Sequence, residues 1–353
     1  MFDRTRMTYY PLSERKNFVD IERARIDPRY SDFVIDEALV LRAETIASEI
    51  LAARERDASV ILAFGAHAIK NGLGWLLGEM ASRGWITHLA TNGAGIIHDW
   101  EFAYQGASSE DVRANIAEGK FGTWEETGLY LNLALAIGAY EGLGYGESVG
   151  KMISDNGLMI PSLEELTGSA AALDLGELIS SQGLAPGFLK IEHPFAAYSV
   201  QARCYAEGVG FTSHPMFGCD IIYTHKANRG AVIGRTAERD FLRYVDAVAH
   251  LEGGVYLSVG SAVMSPMIFE KALSMVRNSG TSVDTGSIHV VDLAPESWDW
   301  TQGEPPVDNP AYYLRYMKTF SRMGLATTYY SCDNRRFFVA LYRALARKER
   351  VYG

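Results

Sequence analysis

Short apolar runs and amphipathic stretches alternate along this chain. Val34 to Arg56 carries Val34, Leu39, Leu41, Ile46, Ile50 and Leu51 at roughly helical spacing, which predicts a helix. Val60-Ile61-Leu62-Ala63-Phe64 is a continuous apolar run, as expected of a strand covered on both faces. The turn Gly65-Ala66-His67-Ala68 follows. Asn71 is then placed to cap a helix whose Leu73, Leu76, Leu77 and Met80 fall on one face. Gly84 ends that helix, and Trp85–Thr91 predicts the next strand, running into Asn92-Gly93-Ala94-Gly95.

The stretch 100–200 is less regular and mostly helical, with helices expected at Gly128–Tyr140 and Thr167–Leu178. A glycine-dense loop is expected at Gly142–Gly146. The strand–turn–helix theme then returns. Strands are predicted at Val209–Ser213, Gly218–Tyr223, Gly254–Gly260, Ser287–Leu293 and Leu325–Tyr330. Helices are predicted from Thr236, over Pro266–Asn278, over Pro310–Met323 and after Asp333. Residues 1–30 read as a polar, irregular arm. The alternation predicts an α/β fold, a Rossmann-like, mostly parallel sheet with helices on both faces. Residues 1–353 are read as a single α/β domain, with the arm at 1–30 and a more helical middle at 100–200.

Composition narrows the class. With 353 residues, 48% hydrophobic and 22% charged, the chain can bury a sizeable core. No apolar run is long enough to cross a bilayer, and the N-terminal stretch has no secretory apolar segment, so a cytoplasmic protein is expected. A net charge of −10 disfavours nucleic acid as a partner; the clustered cations of the last helix read as a solvated face. Three scattered cysteines, Cys204, Cys219 and Cys332, have neither disulfide nor zinc-ligand spacing.

Ligands of open parallel sheets bind beyond the carboxyl ends of the strands, where glycine turns let the backbone approach. Three such ends stand out: Gly65-Ala66-His67, Thr91-Asn92-Gly93-Ala94-Gly95 and Gly260-Ser261-Ala262-Val263. None is the full G-x-G-x-x-G pattern. Gly146–Lys151 is not a phosphate loop, because Tyr145 stands at its first glycine and Met152 at its hydroxyl position. Among polar groups, His98, His214 and Asp220 are acid/base candidates, and Asp99 is a candidate acceptor for ribose hydroxyls. A rival reading gathers His67, His98, His214, Asp220 and His225 at one rim, as in a metal-dependent hydrolase or lyase. A third reading is a non-catalytic ligand-binding or assembly protein.

The blocks Phe64-Gly65-Ala66, Gly72, Gly84, Thr91–Gly95 and His98-Asp99, and later Gly218–His225 and Gly254–Val263, resemble deoxyhypusine synthase. The resemblance implies NAD held across these turns by Gly65, Ala66, Thr91, Asn92, Gly93, Gly95, Asp99, Gly260 and Ser261. It also implies a homo-oligomer and an NAD-dependent transferase. In that family a lysine takes the butylamine part of spermidine as an imine, and Tyr316-Met317-Lys318 stands near the family's Trp-Gly-Lys. Several family positions differ. Ile97 and His98 replace its paired glutamates, and Pro266 or Met267 its histidine. Trp298–Pro306 replaces the Ser/Asp/Gly-rich segment before the lysine. The resemblance therefore implies the scaffold and a nucleotide, and argues against deoxyhypusine synthesis itself.

Overall fold

The structure is a computed structural model that describes residues 2–299 and 302–352; Trp300 and Thr301 of the Trp298–Pro306 segment lie outside the described residues. Its strands are β1 (Asn17–Asp20), β2 (Val60–Phe64), β3 (His88–Thr91), β4 (Ala107–Glu110), β5 (Gly157–Ile160), β6 (Gly187–Lys190), β7 (Gly210–Ser213), β8 (Gly254–Val259), β9 (Gly286–Asp292) and β10 (Ala326–Ser331). The chain divides into two compact units. Unit 1 comprises Met1–Ala24 and Gly93–Asp240; unit 2 comprises Arg25–Asn92 and Phe241–Gly353.

Unit 2 carries the parallel sheet, with its strands in the order β10-β9-β8-β2-β3 and every pair parallel. The central strands β2 and β8 are buried at every position, which is why the sequence shows them as unbroken apolar runs rather than alternating ones. Helices Glu37–Glu55 and Asn334–Tyr352 pack on each other and on one face of this sheet. On the other face Ile61, Ala63, Tyr256, Ile288 and Val290 pack with Tyr244, Val248, Phe269, Leu273, Met317 and Phe320. The expected α/β class, a mostly parallel sheet with helices on both faces, is what unit 2 shows.

Unit 1 is helical with two small antiparallel ribbons, β1–β4 and β5–β6. Its central helix, Glu125–Glu141, is buried along most of its length and contacts helices Tyr145–Asp155 and Ala170–Gln182. Helix Tyr145–Asp155 also packs against helix Val200–Glu207 so closely that a β-carbon on Gly150 would lie 2.7 Å from the Gln201 carbonyl oxygen. That approach explains the glycines of Gly146–Lys151, which are helical here and not a loop.

Several boundaries differ from the sequence reading, each for a local reason. The arm at 1–30 is not irregular: β1 pairs with β4, and Arg15 is buried. Asn71 does not cap the Leu73–Met80 helix; it ends a short helix, Ala66–Lys70, and bonds to Asn334. Gly93–Gly95 form no turn, since helix Gly93–Gln105 starts there directly. Gly218–Tyr223 is not a strand: the Tyr223 N–H donates to the Asp220 carbonyl at 3.3 Å in a 3₁₀ turn over Ile221–Thr224, and the Tyr223 hydroxyl also bonds the Asp220 carboxylate. The helix expected from Thr236 begins at Gly230. Pro310–Met323 is interrupted at Leu314, whose extended backbone separates a 3₁₀ turn from helix Arg315–Phe320.

Candidate functional site

The order of the sheet in unit 2 creates a switch point. From β2 the chain goes to β3 on one side, whereas β8, β9 and β10 build outward on the other. The connections after β2 and β8 therefore leave Gly65 and Gly260 toward opposite sides of the sheet, the place where open α/β sheets bind ligands. The two ends touch through backbone. The Gly65 N–H donates to the Val259 carbonyl at 3.2 Å, and a β-carbon on Gly65 would lie 2.1 Å from the Gly260 oxygen. Gly260 is glycine for another reason. Its φ is +59°, and the space its side chain would fill is open.

The other predicted contacts of this edge hold its shape. Thr91 is buried, and its hydroxyl donates to the Phe64 carbonyl at 3.0 Å. The Ser261 hydroxyl accepts from the Ser265 N–H at 3.2 Å, at the start of helix Met264–Asn278. Behind it, Ser265, Tyr256 and Tyr244 form a buried hydroxyl chain. Ala66 and Asn92 are half-buried and His67 is exposed. Lys318 sits on helix Arg315–Phe320 with its ammonium 3.6 Å from the centre of the Tyr312 ring.

Unit 1 contains the remaining candidates, and most are tied into buried networks. Asp99 is 1% exposed; it accepts from the Ser199 hydroxyl (2.5 Å), the Val200 and Gln201 N–H groups (3.1 and 3.3 Å) and the Gln201 amide (2.9 Å). It thus caps helix Val200–Glu207, with its oxygens turned into the protein. Burial raises its carboxyl, against the pull of these hydrogen bonds.

His98 lies one helical turn before Glu101. The buried Ser108 hydroxyl joins them, donating to Glu101 at 2.5 Å with His98 Nδ1 2.7 Å away. Since the Ser108 proton goes to Glu101, Nδ1 carries the imidazole proton and donates it to Ser108. Glu101 pairs with the buried Arg15 at 2.6 Å. Burial pushes its carboxyl up, but the Arg15 charge and the hydrogen bonds outweigh this and hold it below its ordinary value.

Asp220 lies against the start of helix Gly93–Gln105, where a β-carbon on Gly93 would be 2.3 Å from its Oδ2. The Tyr223 hydroxyl donates to it at 2.8 Å, and burial pushes its carboxyl up to about 6. Burial thereby brings this carboxyl toward neutral pH. Asp240 is buried and accepts from the Gly146 and Ser213 N–H groups at 2.9 and 2.7 Å. The buried hydroxyls of Tyr145 and Ser213 have no hydrogen-bond partner among the described residues. His214 bonds to Thr212 at 3.1 Å. His225 is buried, accepts from the Ala227 N–H on Nδ1 and faces Glu125; burial pushes it down from its ordinary value.

The five-residue rim His67, His98, His214, Asp220 and His225 is not assembled as a metal centre. Among the described residues no three His, Cys, Asp or Glu side chains are placed to hold an ion. No helix among them is long and apolar enough to cross a membrane. Sequence reasoning missed Arg15, Glu101, Ser108 and Tyr223. The spacing of His98 and Glu101 along one helix face was a usable signal for one of these links, and nothing local marked Arg15.

These features define a Rossmann-like parallel α/β protein with a glycine-paired switch point. No family model matches the sequence, and no curated protein does. Among solved structures, AgrE in complex with ornithine and NAD+ is 14% identical, with a TM-score of 0.44, over 90% of this chain and 35% of that one. A conserved LOR/SDH protein from Methanococcus maripaludis S2 is 14% identical over 92% of this chain and 75% of its own, TM-score 0.44. A protein assigned as a deoxyhypusine synthase from Entamoeba histolytica is 9% identical over 88% of each chain, TM-score 0.43. The chain spans about a third of the length of AgrE and of the cyanobacterial arginine dihydrolase ArgZ. At these values the likeness concerns general fold.

Proposed function

We propose that unit 2 binds NAD or a related nucleotide across the carboxyl edge of its sheet, in a protein whose activity is an NAD-dependent group transfer. The observation that carries this reading is the coincidence of the topological switch with the Gly65–Gly260 pair, where backbone meets backbone and Gly260 faces open space. Gly65, Ala66 and Asn92 would flank the nucleotide with Gly260 and Ser261, while Thr91 supports the turn from beneath. Asp99 does not fit as a ribose acceptor, because its oxygens already cap a helix. When bound, NAD supplies a hydride acceptor. Within unit 1, Asp220, His98 and His214 are kept as the acid/base candidates. Calorimetric titration with NAD tests the reading: saturable binding that Gly260→Val weakens is expected. No binding up to millimolar NAD, with no thermal shift, would sink it.

A further inference from the structure

At the opposite end of the sheet in unit 2, a cavity of about 810 Å³ opens between helix Glu37–Glu55 and the amino ends of β8 and β9. It shares no residue with the carboxyl edge. Gly253, Gly254, Gly286 and Ala52 line it with little side-chain bulk, and Val255 lies buried beneath them. One wall carries a carboxylate built to stay in place. Glu49 Oε2 accepts from the Ser287 hydroxyl at 2.6 Å and from His289 Nε2 at 2.7 Å, and His289 Nδ1 is 2.7 Å from the Thr328 hydroxyl. These bonds fix the rotamer of Glu49 and leave Oε1 as its second acceptor. Burial would raise its carboxyl, but the His289 and Ser287 bonds hold it below its ordinary value.

The other wall carries Arg56. One arm of its guanidinium donates to the Gly253 carbonyl at 3.2 Å, which anchors it at the rim. The remaining acid, Glu252, is committed to the neighbouring turn, accepting from the Asp284 and Thr285 N–H groups. The cavity is thus lined by two carboxylates and one cation; both Glu252 oxygens are taken up by the turn, so Glu49 Oε1 is the carboxylate acceptor left for a ligand. The Arg56 guanidinium is anchored at Gly253 and the Glu49 carboxylate at Ser287, the partner of Val255 on the neighbouring strand, so the two anchors are offset by two residues across adjacent strands, about 8 Å. A zwitterion with both charges on one carbon cannot bridge that interval.

We infer that this cavity is a second small-molecule site, for a dipolar ligand whose amine and acid groups are joined by an extended chain. The ammonium sits on Glu49, the carboxylate or phosphate on Arg56, and the methylene chain lies over Ala52 and the glycines.

The test uses the full chain and a series of probes: glycine, γ-aminobutyrate, ε-aminocaproate, hexanoate and hexylammonium, titrated by calorimetry without NAD. ε-Aminocaproate is expected to bind saturably, with γ-aminobutyrate weaker and glycine absent. Each one-ended analogue should bind about tenfold or more below it, the loss of one charge-assisted contact. Glu49→Gln should reduce ε-aminocaproate and hexylammonium but leave hexanoate unchanged, whereas Arg56→Met should reduce ε-aminocaproate and hexanoate but leave hexylammonium unchanged. Ala52→Leu, which fills the chain's path without touching either charge, should abolish binding in a protein with a native circular dichroism spectrum. No saturable binding by any probe, or binding that survives all three variants, overturns the inference. Because no nucleotide takes part, failure here leaves the NAD reading standing, and failure of NAD binding leaves this one.

Discussion

The two units hide different things in their interiors. Unit 2 buries apolar faces on both sides of a parallel sheet, and its candidate site is an edge made of backbone at Gly65 and Gly260. Unit 1 buries charge: Arg15, Asp99, Glu101, Asp220 and Asp240 all lie at 8% exposure or less, and all but Asp220 have partners far away in sequence. The contrast separates two ways of holding a fold. Unit 2 is stabilised by removing apolar area from water, which tolerates small losses gradually. Unit 1 depends on its buried charged groups keeping their partners, where losing one strands a desolvated ion.

The comparison is broken most sharply at Arg15. Arg15→Met should cost about 3–5 kcal/mol, because Glu101 is left buried with no opposing charge. Urea denaturation measures it. Adding Glu101→Leu should recover most of the loss, and a double variant as unstable as the single one would show that packing, not charge, holds this pair.

The matching break in unit 2 is Gly65→Ala. Its β-carbon would fall 2.1 Å from the Gly260 carbonyl, so β2 and β8 must separate at their carboxyl ends. A loss of about 3 kcal/mol is expected, at the upper end for overpacking. Gly260→Ala should also destabilise, through its positive φ rather than through a clash, by about 1 kcal/mol. Equal effects at the two glycines would refute the separate reasons given for them.

The same contrast explains what the sequence made legible. The limits of β2 could be read to the residue, because a strand covered on both faces must be apolar at every position. Helix Glu37–Glu55 was legible through its apolar spacing, although the reading began at Val34, before the Asp36 cap that starts it. Unit 1 resisted because its determinants are long-range. Nothing beside Arg15 announces Glu101, and Asp99 looks like a free carboxylate until Ser199 and Gln201 arrive. The glycines of Gly93–Gly95 read as a turn, although they begin a helix with Asp220 against Gly93. The amino-edge cavity left no local pattern either, since Glu49 meets Ser287 and His289 only when helix Glu37–Glu55 packs over the sheet.

Asp220 sharpens the comparison by pH. Its folded value is raised by burial to about 6, above that of an unfolded aspartate, so the folded state prefers it protonated. The contribution to stability is therefore full below pH 4 and is lost as pH rises through 6. Asp220→Asn, which keeps an acceptor for Tyr223, should gain on the order of 2 kcal/mol over wild type at pH 7.5 and almost nothing at pH 4. A difference independent of pH would show that Asp220 is not the group that titrates.

The smallest effect is expected at Lys318, the one residue of unit 2 to which the resemblance assigns covalent chemistry. Its ammonium rests 3.6 Å from the Tyr312 ring centre on a half-buried helix, a contact typically worth about 0.5–1 kcal/mol. If unit 2 works through backbone alone, Lys318→Met should cost less than about 1 kcal/mol in urea and leave the NAD-induced thermal shift unchanged. A Tyr312→Leu variant should lose a similar amount, and the double variant no more than either, because both remove the same contact. Loss of the NAD shift in Lys318→Met alone would mean that the carboxyl edge also uses a charged side chain. The division drawn between the two units would then hold for their cores but not for their sites.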